Sequence, residues 1–475
     1  MVLTKRNLLA TLLTLVIGMQ FSCKKDAPAP INPPPSILEQ FYSIGAKQVA
    51  SDLIRTSDGG YLMVGTSYPN TTDPEGDIVV IKTDSIGVQQ WHSLLGKTAG
   101  AGTGNLAGMH IEYHEEGVKI AELPNQTGYT VAANRTYVAY PTASSTTGTK
   151  KQTKIVMYSL DNSGAAQTAD GHELRANTDF TENVSDFKID NSNGNLHYIL
   201  TGYTTNVNPN KPNDPNNGIY DLTDIVTILM DASFSEVWAT GATAYGFLGK
   251  DHGTSVQILP DGYLVVGTIE EQHTANGPFM GRLAAIKMRK DNGVPTNPMY
   301  FGDQDYNFEG AYSTYDATAG HITIAATVAG GNSAYTGQIA VLQLDENLNA
   351  QTPNPIAFGL TFLDPTPPTA TSINNSFKVQ SIAALPNNDG FLIASTMTDN
   401  LGKDICISKL NDDFSLPATD WPYYHGYTTG NSMSTTQELA GTVLPVIDNN
   451  TLIGHAFTGT FNANSSNSQI GWVRF

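Results

Sequence analysis

Residues Ser51–Gly96 read SDLIRTSDGGYLMVGTSYPNTTDPEGDIVVIKTDSIGVQQWHSLLG, and this stretch decides the fold. It contains four short runs with the alternation and the β-branched residues of strands. The runs are Leu53–Thr56, Tyr61–Ser67, Asp77–Thr83 and Val88–Leu95. The Asp-Gly-Gly and Asp-Ser-Ile-Gly segments between them are typical of tight turns between antiparallel strands. The stretch therefore predicts one four-stranded antiparallel sheet.

The same four-stranded unit recurs along the chain with longer loops. Five further units begin with predicted strands at Val118–Leu123, Val184–Ile189, Thr254–Leu259, Gly310–Tyr315 and Phe377–Leu385. The fourth strand of the second unit is poorly marked and is placed within Ala165–Leu174, and that of the fifth unit is predicted at Pro355–Phe358. Repeats of this kind bury their faces against their neighbours, so the units are expected to pack as blades of one domain.

The last unit lacks a fourth strand. It contains Thr442–Ile447, Thr451–Phe457 and Gln469–Phe475, where the printed sequence stops. At the other end, Ile37–Gly45 reads ILEQFYSIG and resembles an isolated fourth strand with its closing glycine. We expect this strand to complete the last blade, because closure removes the exposed edges of an open array. The prediction is an all-β protein, a seven-bladed β-propeller over residues 37–475.

The repeat pattern T-x-D-G-G-Y-x-x-x-G-T, followed by D-I-V-V-I-K and a Trp-bearing strand, resembles secreted bacterial β-propeller repeat proteins. The residues that carry the resemblance are Asp58, Gly59, Gly60, Tyr61, Gly65 and Trp91, and again Asp261, Gly262, Tyr263 and Gly267. The resemblance implies a fold, in families that mostly have no assigned activity. Since a fold does not determine a function, the function must be argued from a site.

The N-terminal segment has the features of an export signal. Lys5 and Arg6 precede an apolar run, Leu8–Met19, that is too short to cross a bilayer. The following QFSCKKD resembles a bacterial lipoprotein processing site with Cys23 as the acylated residue, although Phe21 departs from the usual small residue. An ordinary cleaved signal is the alternative, but no A-x-A site is present.

This resemblance divides the chain into a signal peptide (residues 1–22), a lipidated cysteine with a Pro-rich tether (residues 23–36), and the propeller. The tether, KKDAPAPINPPPS after Cys23, is expected to be semi-rigid and extended. The expected location is the outer membrane, with the body on the periplasmic or cell-surface side. The lipid is the only membrane contact predicted.

The composition limits the classes of molecule that this protein is expected to bind. The formal net charge is -19, from 25 basic and 44 acidic residues. Nucleic acid is excluded as a partner, because phosphate binding needs a basic surface. Cys406, the only cysteine besides Cys23, is predicted to be a small buried apolar residue. We expect a monomer that binds a polysaccharide or a protein.

Loop lengths distinguish the two ends of the propeller. In a meander, the A–B and C–D turns lie on one rim, which we call the short-turn rim. The other rim, the long-loop rim, carries Tyr68–Gly76, Thr98–Gly117, Tyr140–Lys151, Thr204–Leu222, Glu270–Gly281, Leu360–Ser376 and Tyr427–Gln437. Because long loops on a rigid scaffold often bind ligands, a ligand is predicted at this rim or at the mouth of the central channel. Neutral insertion is the alternative.

Two short segments have possible metal ligands. His110 and His114 are four residues apart, which on a helix would place two imidazoles on one face, although a solvated polar loop is the alternative. Asp303 and Asp305, in FGDQDYNFEG, alternate as hard oxygen ligands of Ca²⁺ do, but the glycine of an EF-hand-like loop is missing. No other cofactor is expected.

Two further groups are candidate ligand-binding residues. Asp251 and His252 suggest acid–base work, although a turn cap is the alternative for the aspartate. Tyr68 and Tyr306, at or near long loops, suit stacking on sugar rings or peptide segments, and packing at strand ends is the alternative.

No catalytic constellation is visible in the sequence, so the first hypothesis is a non-catalytic binding or scaffolding lipoprotein of the cell envelope. The second is a glycan-acting hydrolase or lyase with carboxylates at the channel mouth. The third is a structural partner in envelope assembly, which would expose a large apolar patch.

Overall fold

The first and last strands of the propeller pair with each other. In the computed structural model, Leu38–Tyr42 lies antiparallel to Gln469–Arg474, with Leu38 opposite Arg474. The Tyr42 hydroxyl donates a 2.6 Å hydrogen bond to the Gly87 carbonyl in the first blade. The prediction that the N-terminal strand completes the last blade is confirmed.

The structure describes residues 37–475 except 70–74, 104–105, 146, 177–179, 206–222, 239–242, 248, 273–278, 303–305, 332–334, 353–359, 365–375, 399–401, 418–420, 426, 429–431, 434–436 and 464. Residues Leu38–Arg474 form one compact unit. Within the described part, no helix has both the length and the apolar character needed to cross a bilayer.

Seven antiparallel meanders make up the propeller, with strand A of each nearest the axis. In the order A, B, C, D, the strands are as follows: blade 1, Lys47–Arg55, Tyr61–Tyr68, Asp77–Thr83 and Gln89–Leu95; blade 2, His110–Glu122, Tyr129–Tyr140, Thr149–Leu160 and His172–Glu173; blade 3, Glu182–Asp190, His197–Thr204, Asp224–Asp231 and Thr243–Tyr245; blade 4, His252–Ile258, Gly262–Gln272, Phe279–Arg289 and Pro295–Phe301; blade 5, Asn307–Asp316, His321–Gly330, Ile339–Asp345 and Thr361–Leu363; blade 6, Ser376–Ala384, Phe391–Thr398, Lys403–Leu410 and Tyr423–His425; blade 7, Leu439–Asp448, Thr451–Phe461, Gln469–Arg474 and Leu38–Tyr42. The prediction of seven blades is confirmed.

Short elements supplement the blades. Gly100–Ala101 adds a fifth strand to blade 2, next to its strand A. Tyr427–Thr428 and Ser432–Met433 form a separate two-stranded ladder. Single 3-10 turns at Pro124–Gln126 and Pro386–Asn388 connect strands A and B in blades 2 and 6.

The core consists of layers between adjacent blades. Leu62 and Val80 of blade 1, for example, pack with Val131 and Val156 of blade 2 in one buried cluster. Strands B and C are covered on both faces, which explains their nearly continuous apolar runs. Each Val or Leu buried in this way contributes about 1.5–3 kcal/mol. Cys406 is completely buried, as predicted, and burial raises the pKa of its thiol to about 12.

Blade 2 departs most from the sequence-based prediction. Its strand A begins at His110, within the segment Thr98–Gly117 that was predicted to be a connecting loop, so that prediction is wrong there. The polar residues HIEYHEE suggested a loop, but they pair with strand B across the ladder. The rings of Tyr113 and Tyr137 meet edge-to-face at 5.1 Å, and such cross-strand aromatic pairs stabilise sheets.

Outer strands were predicted less well than inner ones. In blade 5 the fourth strand is Thr361–Leu363, paired with Ile339–Val341. The predicted strand Pro355–Phe358 lies outside the described residues. Phe362 and Leu363 are buried, so the observed strand is chosen by packing against the blade. In blade 2 the fourth strand, His172–Glu173, falls within the predicted segment.

The C–D turns explain the Asp and Gly residues of the repeat. Asp84 Oδ1 accepts hydrogen bonds from the backbone N–H groups of Ile86 and Val88, at 3.0 and 2.9 Å. Gly87 has a φ of 85°, and a Cβ there would meet the indole of Trp472. Only glycine combines this conformation with such a close ring.

Candidate functional site

The seven innermost strands share one irregularity at the same height. Each strand A has a β-bulge or register shift against strand B, in its middle or first half. The side chains beside these irregularities form what we call the channel ring: Asp52, Lys119, Asp186, Ser255, Tyr312, Ser381 and Thr442. Bulges re-aim side chains, and here all seven line the central channel.

Part of the channel ring has a structural role. Asp186 Oδ2 accepts a 2.9 Å hydrogen bond from the backbone N–H of Val256 in the next blade. Ser381 Oγ accepts an equivalent bond, also 2.9 Å, from the N–H of Val443. Asp52 Oδ2 accepts one of 3.2 Å from Ile120. These side chains therefore join successive blades around the axis.

Lys119 is the cation among the seven residues of the channel ring. Its Nζ lies 3.1 Å from Asp52 Oδ1, which also accepts a 2.7 Å hydrogen bond from the Thr442 hydroxyl. Burial opposes the charge on Lys119, but the carboxylates of Asp52 and Asp186 outweigh that effect and raise its pKa. The amino group therefore stays protonated and serves as a hydrogen-bond donor rather than as a base.

Asp186 is the ring member with spare bonding capacity. The residue is 4% exposed, and its Oδ1 has no hydrogen-bond partner among the described residues. The nearest cation is the Nζ of Lys188, at 4.0 Å. Tyr312 lies on the same cavity wall, and burial raises the pKa of its phenol. Because an unbonded buried carboxylate oxygen is costly, this atom is a candidate ligand contact.

A cavity of about 400 Å³ lies on one side of the channel ring. Its lining runs from the ring to the ends of strands A, including Arg55, Glu122 and Ile189, and contains no residue that precedes the ring in its strand. The ring therefore forms the floor, and the cavity faces the short-turn rim. This volume falls within the range of small-molecule sites, about 300–1,000 Å³.

At the mouth of the cavity, turns of one blade meet the strand of the next. Glu122 accepts hydrogen bonds from the backbone N–H and the hydroxyl of Ser57, at 2.8 and 2.7 Å. Arg55 lies on the same side, and its Nε has no partner among the described residues. The acid at the mouth is thus already bonded, and the Arg55 side chain lines the same part of the cavity.

The predicted residues Tyr68, His110 and His114 lie near the long-loop rim between blades 1 and 2. Tyr68 stacks on His114 with 5.7 Å between ring centroids. His114 accepts a 2.9 Å hydrogen bond from the Gly76 N–H and contacts Glu116, and His110 contacts Glu112. Four residues of strand separate the histidines by roughly 13 Å. The strand thus keeps the two imidazoles apart, where a helix would have brought them together.

His252 begins strand A of blade 4, and Asp251 directly precedes it. Asp251 is fully buried, and its carboxylate accepts hydrogen bonds from the backbone N–H groups of Phe247 and Glu270. Burial, with the charges of Asp224 and Glu270, raises the pKa of Asp251 to about 7. The two hydrogen bonds act in the opposite direction, because they stabilise the charged carboxylate. His252 stacks on Tyr203 at 4.4 Å, and burial lowers its pKa.

Asp251 belongs to a repeated corner rather than to an isolated site. Glu115 has the same place in blade 2, four residues before its ring residue, and accepts a 2.8 Å hydrogen bond from the Lys97 N–H. A Cβ on Gly96 would collide with Asp77 and lie 2.9 Å from Glu115 Oε2. The glycine that closes strand D is therefore explained by these acids, which hold the corner between blades.

Tyr306 does not line the channel cavity. Tyr306 is buried and stacks on Phe308 and Phe362, at 5.7 and 5.3 Å between centroids. Asp303 and Asp305 lie outside the described residues, as does Cys23. Across the described ranges, no three His, Cys, Asp or Glu side chains come together in a metal-binding arrangement.

Sequence reasoning missed the channel ring, although one signal was present. Asp52 and Ser255 each lie six residues before the aspartate of a D-G turn, at Asp58 and Asp261. Aligning the repeats would have shown a polar residue at that fixed distance within an apolar strand. The sequence does not show the bulge that directs this residue toward the axis.

Comparisons with known proteins show neither a family nor a function for this chain. No family model matches the chain, and no curated protein matches it. Among solved structures, it is similar to a mutant NanB sialidase from Streptococcus pneumoniae, with 12% identity, a TM-score of 0.41, and coverage of 94% of this chain and 71% of that one. It is also similar to an α-L-arabinofuranosidase from Fusarium graminearum, with 13% identity, a TM-score of 0.39, and coverage of 78% and 97%.

A third similar structure is BamB from Moraxella catarrhalis, with 9% identity and a TM-score of 0.33. The match covers 92% of this chain and 100% of that one. At such low identities the similarity concerns the fold and not the site. The strand order of this chain itself shows the seven-bladed β-propeller.

Proposed function

We propose that the protein is a cell-envelope lipoprotein whose propeller is a non-catalytic binding module, with its ligand site in the channel cavity. The observation that carries the proposal is the convergence of seven polar side chains, one from each blade, on the floor of a cavity of about 400 Å³. A concave site with a few convergent polar groups is the arrangement by which proteins bind small molecules.

Two features favour binding over chemistry. Lys119 is held protonated by Asp52 and so is not a nucleophile. Asp186 is engaged through Oδ2 with the backbone of the next blade, which fixes its position. The groups on the cavity floor are therefore pre-organised donors and acceptors. The long-loop rim stays a predicted second contact surface for a polysaccharide or protein.

A thermal-shift screen of the full-length protein, purified in detergent, tests the binding module. A ligand at 100 times its dissociation constant stabilises the native state by about 2.7 kcal/mol. We expect this stabilisation to disappear in Ala121→Trp, because Ala121 lines the cavity and an indole there would fill it. Stabilisation that persists in the filled variant would contradict the proposed site.

The membrane tether is tested separately. Replacing Cys23 by serine is expected to release the protein from the membrane fraction, because acylation needs the thiol. Membrane association that survives Cys23→Ser would contradict lipidation at this residue, whatever the ligand screen shows.

A glycan-acting hydrolase or lyase is the second candidate, since Asp52, Glu122 and Asp186 all line the cavity. Incubating the protein with a set of polysaccharides and measuring new reducing ends or unsaturated products tests it. Product that forms with the wild type and not with Asp186→Asn would favour the enzyme. Binding without product would favour the module.

A further inference from the structure

The channel cavity contains both charges in equal number. Its lining includes three acids and three bases: Asp52, Glu122, Asp186, Arg55, Lys119 and Lys188. The whole chain has a net charge of -19. The cavity is therefore electrically balanced on a strongly acidic protein, and this balance restricts the ligands it can hold.

A charged ligand would be disfavoured in such a lining. An ammonium group near Asp186 Oδ1 would also approach Lys188, which is 4.0 Å from that oxygen, and Lys119 on the same floor. A carboxylate near Lys188 would approach Asp186. Repulsion would offset attraction in both cases, because charges at comparable distances interact with comparable strength.

The hydrogen-bonding groups favour a ligand that both donates and accepts. Lys119 donates one observed hydrogen bond to Asp52, and its ammonium group has further N–H donors. Asp186 Oδ1 is an acceptor without a hydrogen-bond partner in the described part of the chain. Hydroxyls of Ser255, Tyr312 and other ring members can take either role. Phe187 adds an apolar surface to the same lining.

We propose, on the basis of the proposed function, that the cavity binds a neutral polyhydroxylated molecule of the sugar class. Each sugar hydroxyl donates and accepts, so it satisfies Asp186 Oδ1 and Lys119 together without adding charge. Its C–H faces suit the apolar part of the lining. The site lies on the short-turn rim, opposite the long loops.

The experiment compares three classes of small probe on the full-length protein in detergent, by saturation-transfer NMR and calorimetry. The neutral probes are glucose, galactose, N-acetylglucosamine, maltose and lactose, the cationic probe is putrescine, and the anionic probe is succinate. We expect a sugar to bind more tightly than either ion. The variant Asp186→Ala should weaken that sugar about tenfold, the loss expected for one hydrogen bond.

Tyr312→Phe is the second variant. It removes a single hydroxyl, so it still tests the site if Asp186→Ala fails to fold. It should weaken the sugar severalfold with an unchanged near-ultraviolet circular dichroism spectrum. Asp261→Ala is the matched control, since this acid lies exposed in a turn of the same rim. It should leave sugar affinity unchanged.

The outcomes separate the two levels of the proposal. If putrescine or succinate binds more tightly than every sugar and loses affinity in Asp186→Ala, the sugar inference is overturned and the binding module stands. If no probe binds, or if sugar binding is indifferent to both cavity variants, the channel site itself is overturned.

Discussion

Buried acids occupy two positions in strands A, and Glu115 and Asp186 show how differently such acids can be bonded. Glu115 of blade 2, on the long-loop side of the channel ring, is fully buried and bonded to Arg135, Lys97 and Tyr158. At the channel ring, Asp186 is also buried, yet one of its oxygens has no hydrogen bond in the described structure. A buried carboxylate is thus fully bonded at Glu115, whereas at Asp186 it keeps an unbonded oxygen beside a cavity.

The difference shows why buried charge alone does not indicate function. Arg135 is 1% exposed and bonds Glu115 at 2.6 Å and Glu173 at 3.2 Å. Such a network is complete in itself and has nothing to offer a ligand. A buried oxygen without a hydrogen-bond partner beside a cavity, as at Asp186, is the more informative signal of a ligand site. Four variants test this contrast, from the largest expected effect to the smallest.

Arg135→Met should destabilise the protein by about 3–5 kcal/mol, because it leaves Glu115 buried without its cation. Urea unfolding followed by circular dichroism measures the change. The control is the double variant Arg135→Met with Glu115→Gln, which removes both charges and should cost less than the single change. A single change costing under about 1 kcal/mol would show that the network is not needed for folding.

Gly96→Ala should cost about 1–3 kcal/mol, since the new methyl group would overlap Asp77 and crowd Glu115. Gly100→Ala is the matched control, because a Cβ there meets nothing within 4 Å. Equal unfolding midpoints for the two variants would argue against the corner acids as the reason for the closing glycine.

Asp251 should make stability depend on pH. Its pKa is raised to about 7 in the native state, from 3.8 for a free side chain, so the native protein holds a proton that the unfolded chain has lost. Stability is therefore expected to fall as the pH rises from about 4 to about 7. Asp251→Asn should flatten this part of the profile relative to wild type, measured by urea unfolding across that range. An unchanged slope would mean that Asp251 is ionised in the native state.

Asp186→Asn should have the smallest effect on folding, less than about 1 kcal/mol. The amide oxygen can still accept the Val256 N–H, and no hydrogen bond to Oδ1 is lost. Thermal and urea unfolding check it against Arg135→Met. A loss as large as that of Arg135→Met would place Asp186 among the structural acids and remove its contrast with Glu115.

Much of the architecture was predictable from local pattern. Runs such as Tyr61–Ser67 and Asp77–Thr83 are strands in the structure, and the spare strand at Ile37–Gly45 closes the ring at Leu38–Tyr42. These elements were accessible because strand alternation, turn residues and blade count depend on a short repeat. The extension at His110–Glu116 was missed because its polar residues pair with another strand and not with solvent.

The candidate site was far less predictable from the sequence. His110, His114, Asp251 and Tyr306 attracted attention by residue type, and the structure gives each of them a local partner. Asp52, Lys119 and Asp186 are separated by more than sixty residues from one to the next, and nothing local connects them. Only seven-fold closure brings them to one ring.

The sequence by itself determined the repeat, the turn chemistry and the closing strand, because these depend on residues near one another in the chain. The tertiary structure decided which polar residues face the axis, since a bulge in each strand A sets that direction. It also decided which buried acids are satisfied, because their partners come from neighbouring blades. Hydrogen-bond satisfaction is a property of three-dimensional neighbours, and that is why the site appears only in the folded propeller.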